Sequence, residues 1–106
     1  MRAYIALLGL LALLSIAILP AVAVKFSIYA YDKESNTLIQ NAIVKVWQNN
    51  NLLNGGNTDK NGCFVAYLID GNRYHIRAEY YNKFDDFPDY LADSAKSARI
   101  DLNLHI

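Results

Sequence analysis

Between Leu53 and Tyr81 the chain reads Leu-Asn-Gly-Gly-Asn, then Thr-Asp-Lys-Asn-Gly, then two stretches of alternating apolar and polar residues separated by Asp70-Gly71-Asn72. A period of two marks a strand with one buried face, because successive side chains of an extended backbone point to opposite sides. Phe64, Ala66 and Leu68 share a face on the first stretch; Tyr74, Ile76, Ala78 and Tyr80 share one on the second. A helix, with its period of about 3.6, would scatter both sets around its circumference. With turn residues between them, the two stretches read as a β-hairpin.

The same alternation recurs elsewhere. Val24, Phe26, Ile28 and Ala30 oppose Lys25, Ser27, Tyr29 and Tyr31; Ala42, Val44 and Val46 oppose Ile43, Lys45 and Trp47; Ile100, Leu102, Leu104 and Ile106 alternate to the last residue. Polar clusters at Asp32–Thr37 and Gln48–Asn51 separate these segments. Leu52-Leu53 reads as a brief strand, and Asn54–Asn57 as a loop whose glycines supply positive φ. In Thr58–Gly62, Asp59 is expected to accept backbone hydrogen bonds and Gly62 to occupy the last turn position. Residues 82–98 leave two readings, a short helix from Phe87-Pro88-Asp89 with Leu91 and Ala95 inward, or a loop interrupted by an edge strand. Six or seven strands with regular turn signals predict an all-β antiparallel sandwich. Eight Tyr, four Phe and one Trp agree, since such rings suit pleated, half-buried surfaces.

Residues 1–23 read as a targeting element: Arg2 supplies a positive charge, Ile5–Leu19 is apolar, and Pro20-Ala21-Val22-Ala23 pairs a helix breaker with an Ala-x-Ala cleavage pattern. A cleaved signal peptide is the favoured reading. The alternative is an uncleaved anchor, since Tyr4–Val24 at 1.5 Å per residue would cross roughly 30 Å of hydrocarbon. Either fate places the domain, residues 24–106, outside the cytoplasm, secreted or tethered to the outer face of the membrane. That length permits one core. Without Arg2 the charge is about −1, nine bases against ten acids, so no global field favours nucleic acid, and the membrane is met only through the leader. Cys63 is alone, which excludes an internal disulfide; it reads as a small strand-start residue rather than an intermolecular link. No Asn-x-Ser/Thr sequon is present.

Asp32 with its polar turn, Leu38-Ile39-Gln40-Asn41-Ala42-Ile43-Val44, Thr58-Asp59-Lys60-Asn61-Gly62-Cys63-Phe64, then Leu68, Gly71, Tyr74 and Ile76 resemble the carboxypeptidase regulatory-like, transthyretin-like (prealbumin-like) domains. The resemblance covers most of residues 24–81. It implies a seven-stranded, Ig-like sandwich that is non-catalytic and serves in secreted or surface proteins as a structural spacer, an adhesive element or a carbohydrate-contacting unit. Transthyretin-like hydrolases end in Tyr-Arg-Gly-Ser, whereas this chain ends Asn103-Leu104-His105-Ile106, so that activity is the least favoured reading. Ala30 stands where related adhesin repeats carry an isopeptide-forming Lys, leaving only Lys25 or Lys33 with Asn103 as a pairing.

The residues themselves offer little catalytic chemistry. His75, His105 and Cys63 are the soft metal ligands, without ligand spacing, and no metal or cofactor is expected. Asp85, Asp86, Asp89 and Asp93 lack the spacing of a Ca²⁺ loop and read as a solvated turn with helix-start carboxylates. No serine lies in a Gly-x-Ser-x-Gly elbow, and Gly55-Gly56 lacks the Lys-Ser/Thr of a phosphate loop. The chain is therefore not expected to be an enzyme. Tyr29, Tyr31, Trp47, Tyr67 and Tyr81 should point outward, an aromatic surface suited to a protein partner or self-association. Cross-strand pairing on an exposed sheet explains the same residues. An alternative is a carbohydrate or small-ligand domain with Trp47 and nearby tyrosines as stacking platforms.

Overall fold

The computed structural model describes residues 22–105. The leader read over residues 1–23 lies outside them except for Val22 and Ala23, and Ile106 lies outside as well. Among the described residues no helix is long and apolar enough to cross a membrane.

Among the described residues eight strands follow one another: β1 Ala23–Asp32, β2 Thr37–Leu38, β3 Ile43–Gln48, β4 Asn51–Asn57, β5 Cys63–Ile69, β6 Arg73–Tyr80, β7 Lys83–Leu91 and β8 Arg99–Leu104. They form two four-stranded sheets. In the first, β1 is central, with β5 and then the short β2 antiparallel along one side and β8 parallel along the other. The second runs β4-β3-β6-β7, antiparallel throughout. The count exceeds the expected seven because β2 is a separate two-residue strand.

The inward set is the one the alternation dictates. Phe26, Ile28 and Ala30 of β1 meet Ala42, Val44 and Val46, then Ala66 and Leu68, Tyr74, Ile76 and Ala78, and Ile100, Leu102 and Leu104 in one buried cluster. Val24, Phe64 and Tyr80 pack against it. Both strand-to-strand contact and sheet-on-sheet contact bury these faces, so each apolar side chain leaves water on folding.

Two expectations are corrected. First, β5 and β6 are not a hairpin; they belong to opposite sheets. Asp70–Asn72 carries the chain across the sandwich because its backbone bonds go elsewhere: Gly71 N–H donates to Ala92 (2.9 Å) and Ala92 N–H to Asn72 (3.0 Å). The Tyr74 hydroxyl accepts from Ile69 N–H (3.0 Å), closing the end of β5. The actual hairpins are β3–β4, through Asn49-Asn50 at φ 50° and 65°, and β6–β7, where Tyr81 sits at φ 54°. Asn tolerates the left-handed region that a two-residue turn of this twist requires.

Second, Asn54–Asn57 is strand, not loop, and its glycines have no positive φ. Gly56 is needed for space: a Cβ there would stand 2.7 Å from Cε2 of Phe64, whose ring fills the vacancy. Of the two readings of residues 82–98, the edge strand holds and the helix does not: Lys83–Leu91 form β7, and residues 92–98, with an Asp93–Ser97 bridge around a turn at 94–96, lead to β8.

Asp59 behaves as expected, accepting from Asn61 N–H (2.8 Å) and Cys63 N–H (3.1 Å), and Gly62 takes φ 70°. Asp70 does similar work across the corner, accepting from the Ser94 hydroxyl (2.7 Å) and Ser94 N–H (2.9 Å). The Ser94 hydroxyl and then its N–H hold the Asp70 carboxyl below its usual value. A carboxyl lowered in the folded state adds stability above its unfolded pKa, and that stability disappears as pH falls through the folded value. The urea midpoints of the protein and its Asp70→Asn variant should therefore differ at neutral pH and converge in acid. A gap that stays constant down to about pH 2 would show that ionisation of Asp70 is irrelevant.

Candidate functional site

The outward aromatics do not share one surface. Tyr29, Tyr31 and Tyr67 stand on the outer face of the first sheet, Trp47 on that of the second, and Tyr81 on the β6–β7 turn, 90% exposed. Membership of opposite sheets separates Trp47 from the β1 tyrosines by the thickness of the core.

On the first sheet, Tyr29 and Tyr31 are already engaged. The Arg99 guanidinium lies 4.0 Å over the Tyr29 ring and 5.7 Å from that of Tyr31, donating to the Tyr31 hydroxyl and to Asp101 (2.9 Å). Cys63, opposite Tyr29 across the ladder, raises the Tyr29 phenol above its ordinary value. These rings are half-buried and paired, as cross-strand packing on an open sheet requires. Val65 and Tyr67 of β5 are different, 38% and 62% exposed.

The backbone of β5 explains why that matters. Ala30 N–H donates to Gly62 and Ala30 C=O accepts from Ile39 N–H, so the even-numbered residues of β1 face β5. Their partners Phe64, Ala66 and Leu68 bond back to β1, which turns the main-chain groups of Cys63, Val65, Tyr67 and Ile69 to the free side. Those of Cys63 are taken by Asp59, and those of Ile69 by Tyr74 and Asn72. Among the described residues, Val65 and Tyr67 have no strand on that side. The other edges are blunted. On β8, the Ser97 hydroxyl bonds Arg99 N–H and C=O (3.2 and 3.1 Å), and Asp85 accepts from Asn103 N–H (2.9 Å). Along β7 run Pro88, a register shift and several carboxylates, while β4 carries Gly55-Gly56. Prolines, charges and irregularities are the usual guards against edge pairing, and β5 has none of them.

The outer face of the second sheet carries a chain of charges. Lys45 pairs with Glu79 (3.2 Å), Glu79 with Arg77 (3.8 Å), Arg77 with Asp86 (2.8 Å) and Asp86 with Nε2 of His75 (2.6 Å). Partial burial pushes the Asp86 carboxyl up, but the bonds from Arg77 and His75 outweigh it and hold the group below its usual value. The same pairing raises Arg77. Arg77 also lies 4.5 Å over the Phe84 ring. His75 in turn stacks on Trp47, ring centres 4.8 Å apart at 34°. At this end the sheet opens into a cleft of about 340 Å³ lined by Trp47, Asn49, Asn50, Arg73, His75 and Asp89, with Pro88 at its wall. Of these, the sequence marks Trp47 as a ligand-contacting ring and offers His75 and Asp89 only as metal-ligand candidates. The doubled Asn between two strands was a legible turn signal; the approach of Arg73 and Asp89 across a bulged ladder was not.

The metal candidates are dispersed. His75 is bound to Asp86, Cys63 lies on the other sheet and His105 is exposed beyond β8. Among the described residues no group of three or more His, Cys, Asp or Glu could hold a metal ion. The acidic residues sit on or after a strand rather than at a helix start, each with its own partner: Asp85 with Asn103, Asp86 with Arg77, Asp89 with Arg73, and Asp93 with Ala95 N–H. Lys25, Lys33 and Asn103 are all exposed.

Compared with known protein families, with curated proteins and with solved structures, the chain finds no match in any of the three.

Proposed function

We propose that the protein is an extracytoplasmic module of the prealbumin-like, carboxypeptidase regulatory-like kind, secreted or held at the outer face of a membrane by its leader. In this reading it works without catalysis, by protein assembly at the cell surface. Its contact is the free side of β5 with the adjoining Val65 and Tyr67 side chains. The supporting observation is the contrast among edges: of the described edge strands longer than the two-residue β2, β5 alone is uncharged, free of Pro and Gly, and unbridged at its centre. Pairing with a second copy of β5 would satisfy four main-chain groups per strand and cover two exposed apolar side chains, the combination that drives strand addition.

Light scattering on the purified protein should give a molecular mass that rises with concentration. Replacing both Val65 and Tyr67 by Lys puts like charges opposite each other and should weaken association about tenfold or more. Both positions are exposed, so melting of the monomer should move little. A protein that remains monomeric at about millimolar concentration, wild type and variant alike, would remove self-assembly through β5.

A further inference from the structure

The cleft at the end of the second sheet has no part in that assembly reading. We infer that it is a binding site for a neutral carbohydrate, with the Trp47 indole as platform and Asn49, Asn50, Arg73 and Asp89 as hydroxyl partners.

Three properties carry this. The first is shape: about 340 Å³ falls at the lower end of the roughly 300–1,000 Å³ typical of small-molecule sites. The second is preorganisation. Asn49 and Asn50 are fixed by a two-residue turn with both φ values positive, and Pro88 stiffens the opposite wall. Trp47 stacks on His75, which bonds Asp86, itself bonded by Arg77, so the indole loses little freedom when a ligand arrives. The third is chemistry. Arg73 and Asp89 are paired at 3.0 Å, so their charges cancel, and the amides of Asn49 and Asn50 are neutral.

Such a set presents donors and acceptors side by side without a net field. A sugar hydroxyl, which donates and accepts at once, matches it; an anion would need the Asp89 carboxylate moved away. The Arg73–Asp89 pair is exposed and worth little to the fold, so a hydroxyl can insert between its members at small cost. The C–H face of a pyranose supplies apolar surface for the half-buried indole.

Trp47 is the single tryptophan of the chain, so intrinsic fluorescence reports this cleft directly. The protein is titrated with glucose, galactose, mannose and N-acetylglucosamine, each as the methyl glycoside, and with sodium sulfate. Amide shifts of Asn49 and Asn50 are followed by NMR in parallel. The expected result is a saturable change with at least one glycoside at millimolar concentration, weakened about tenfold or more by Asp89→Asn and by Arg73→Gln. Both variants alter exposed side chains, so their folding is secure, and Trp47→Ala, read by NMR, should abolish the shifts.

Three results would overturn the assignment: no saturable response to any glycoside up to about 50 mM, a response indifferent to Asp89→Asn and Arg73→Gln, or a stronger response to sulfate. Light scattering on the same samples keeps the outcome separate from self-assembly, because the double Lys variant at 65 and 67 should bind the glycoside unchanged.

Discussion

Thr58→Val is expected to cost the domain about 2–4 kcal/mol, although the two side chains have nearly the same shape. Thr58 is 2% exposed, and its hydroxyl donates to the Ile39 carbonyl (2.6 Å) while accepting from Ala42 N–H (2.9 Å). One oxygen thus closes the end of the β2–β3 connection onto the start of the β5 turn. Valine would leave a buried N–H and a buried C=O without partners, each at about 1–3 kcal/mol. Domains of this size have only about 5–15 kcal/mol in hand. Urea unfolding followed by Trp47 fluorescence measures the loss. Thr58→Ser provides the comparison, since it keeps the hydroxyl and gives up one methyl, about 1 kcal/mol. If serine proves as damaging as valine, the methyl and not the hydroxyl is what the site requires.

Gly62→Ala should be comparably severe, at about 2–4 kcal/mol, while the chemically identical Gly71→Ala should cost only about 1–2 kcal/mol. Both glycines have positive φ, 70° and 86°, so both substitutions incur the left-handed penalty of an L-residue. They differ in surroundings. A Cβ on Gly62 would stand 2.8 Å from Cβ of Leu38 and 3.2 Å from the Ile39 backbone nitrogen, whereas one on Gly71 meets nothing within 4 Å. Relief at Gly62 requires moving β2, and Gly62 C=O holds Ala30 N–H at 3.0 Å on the same path. The difference between the two measured losses isolates the steric contribution from the backbone one. Equal losses would mean that β2 yields freely.

These two sites show what local pattern reveals. Thr58-Asp59-Lys60-Asn61-Gly62 was readable as a turn, including the roles of Asp59 and Gly62, because an Asp side chain and a positive φ act within a few residues. The role of Thr58 was not, since its partners lie 16 and 19 residues away. Gly55-Gly56 misled for a related reason: a glycine needed for space and a glycine needed for φ look alike in a sequence, and only the Phe64 ring distinguishes them. In the candidate cleft, Trp47 was conspicuous as an outward ring, but Arg73 and Asp89 meet through the irregular β6–β7 register, which no periodicity encodes.

Which side of each strand faces the core followed from residue order alone, because side-chain direction in an extended backbone is a local consequence of its geometry. That principle gave the buried set from Val24 to Leu104, and it gave the outward direction of Tyr29, Tyr31, Trp47 and Tyr67. Which strands lie side by side is a different matter. A strand buries the same face whether its chain neighbour is hydrogen-bonded beside it or packed across the core, so alternation cannot tell a hairpin from a crossing. The bonds of Gly71, Asn72 and Tyr74 to distant or cross-corner groups made that choice for β5 and β6. It placed Trp47 and Tyr67 on opposite surfaces and left β5 at the rim with its centre unpaired.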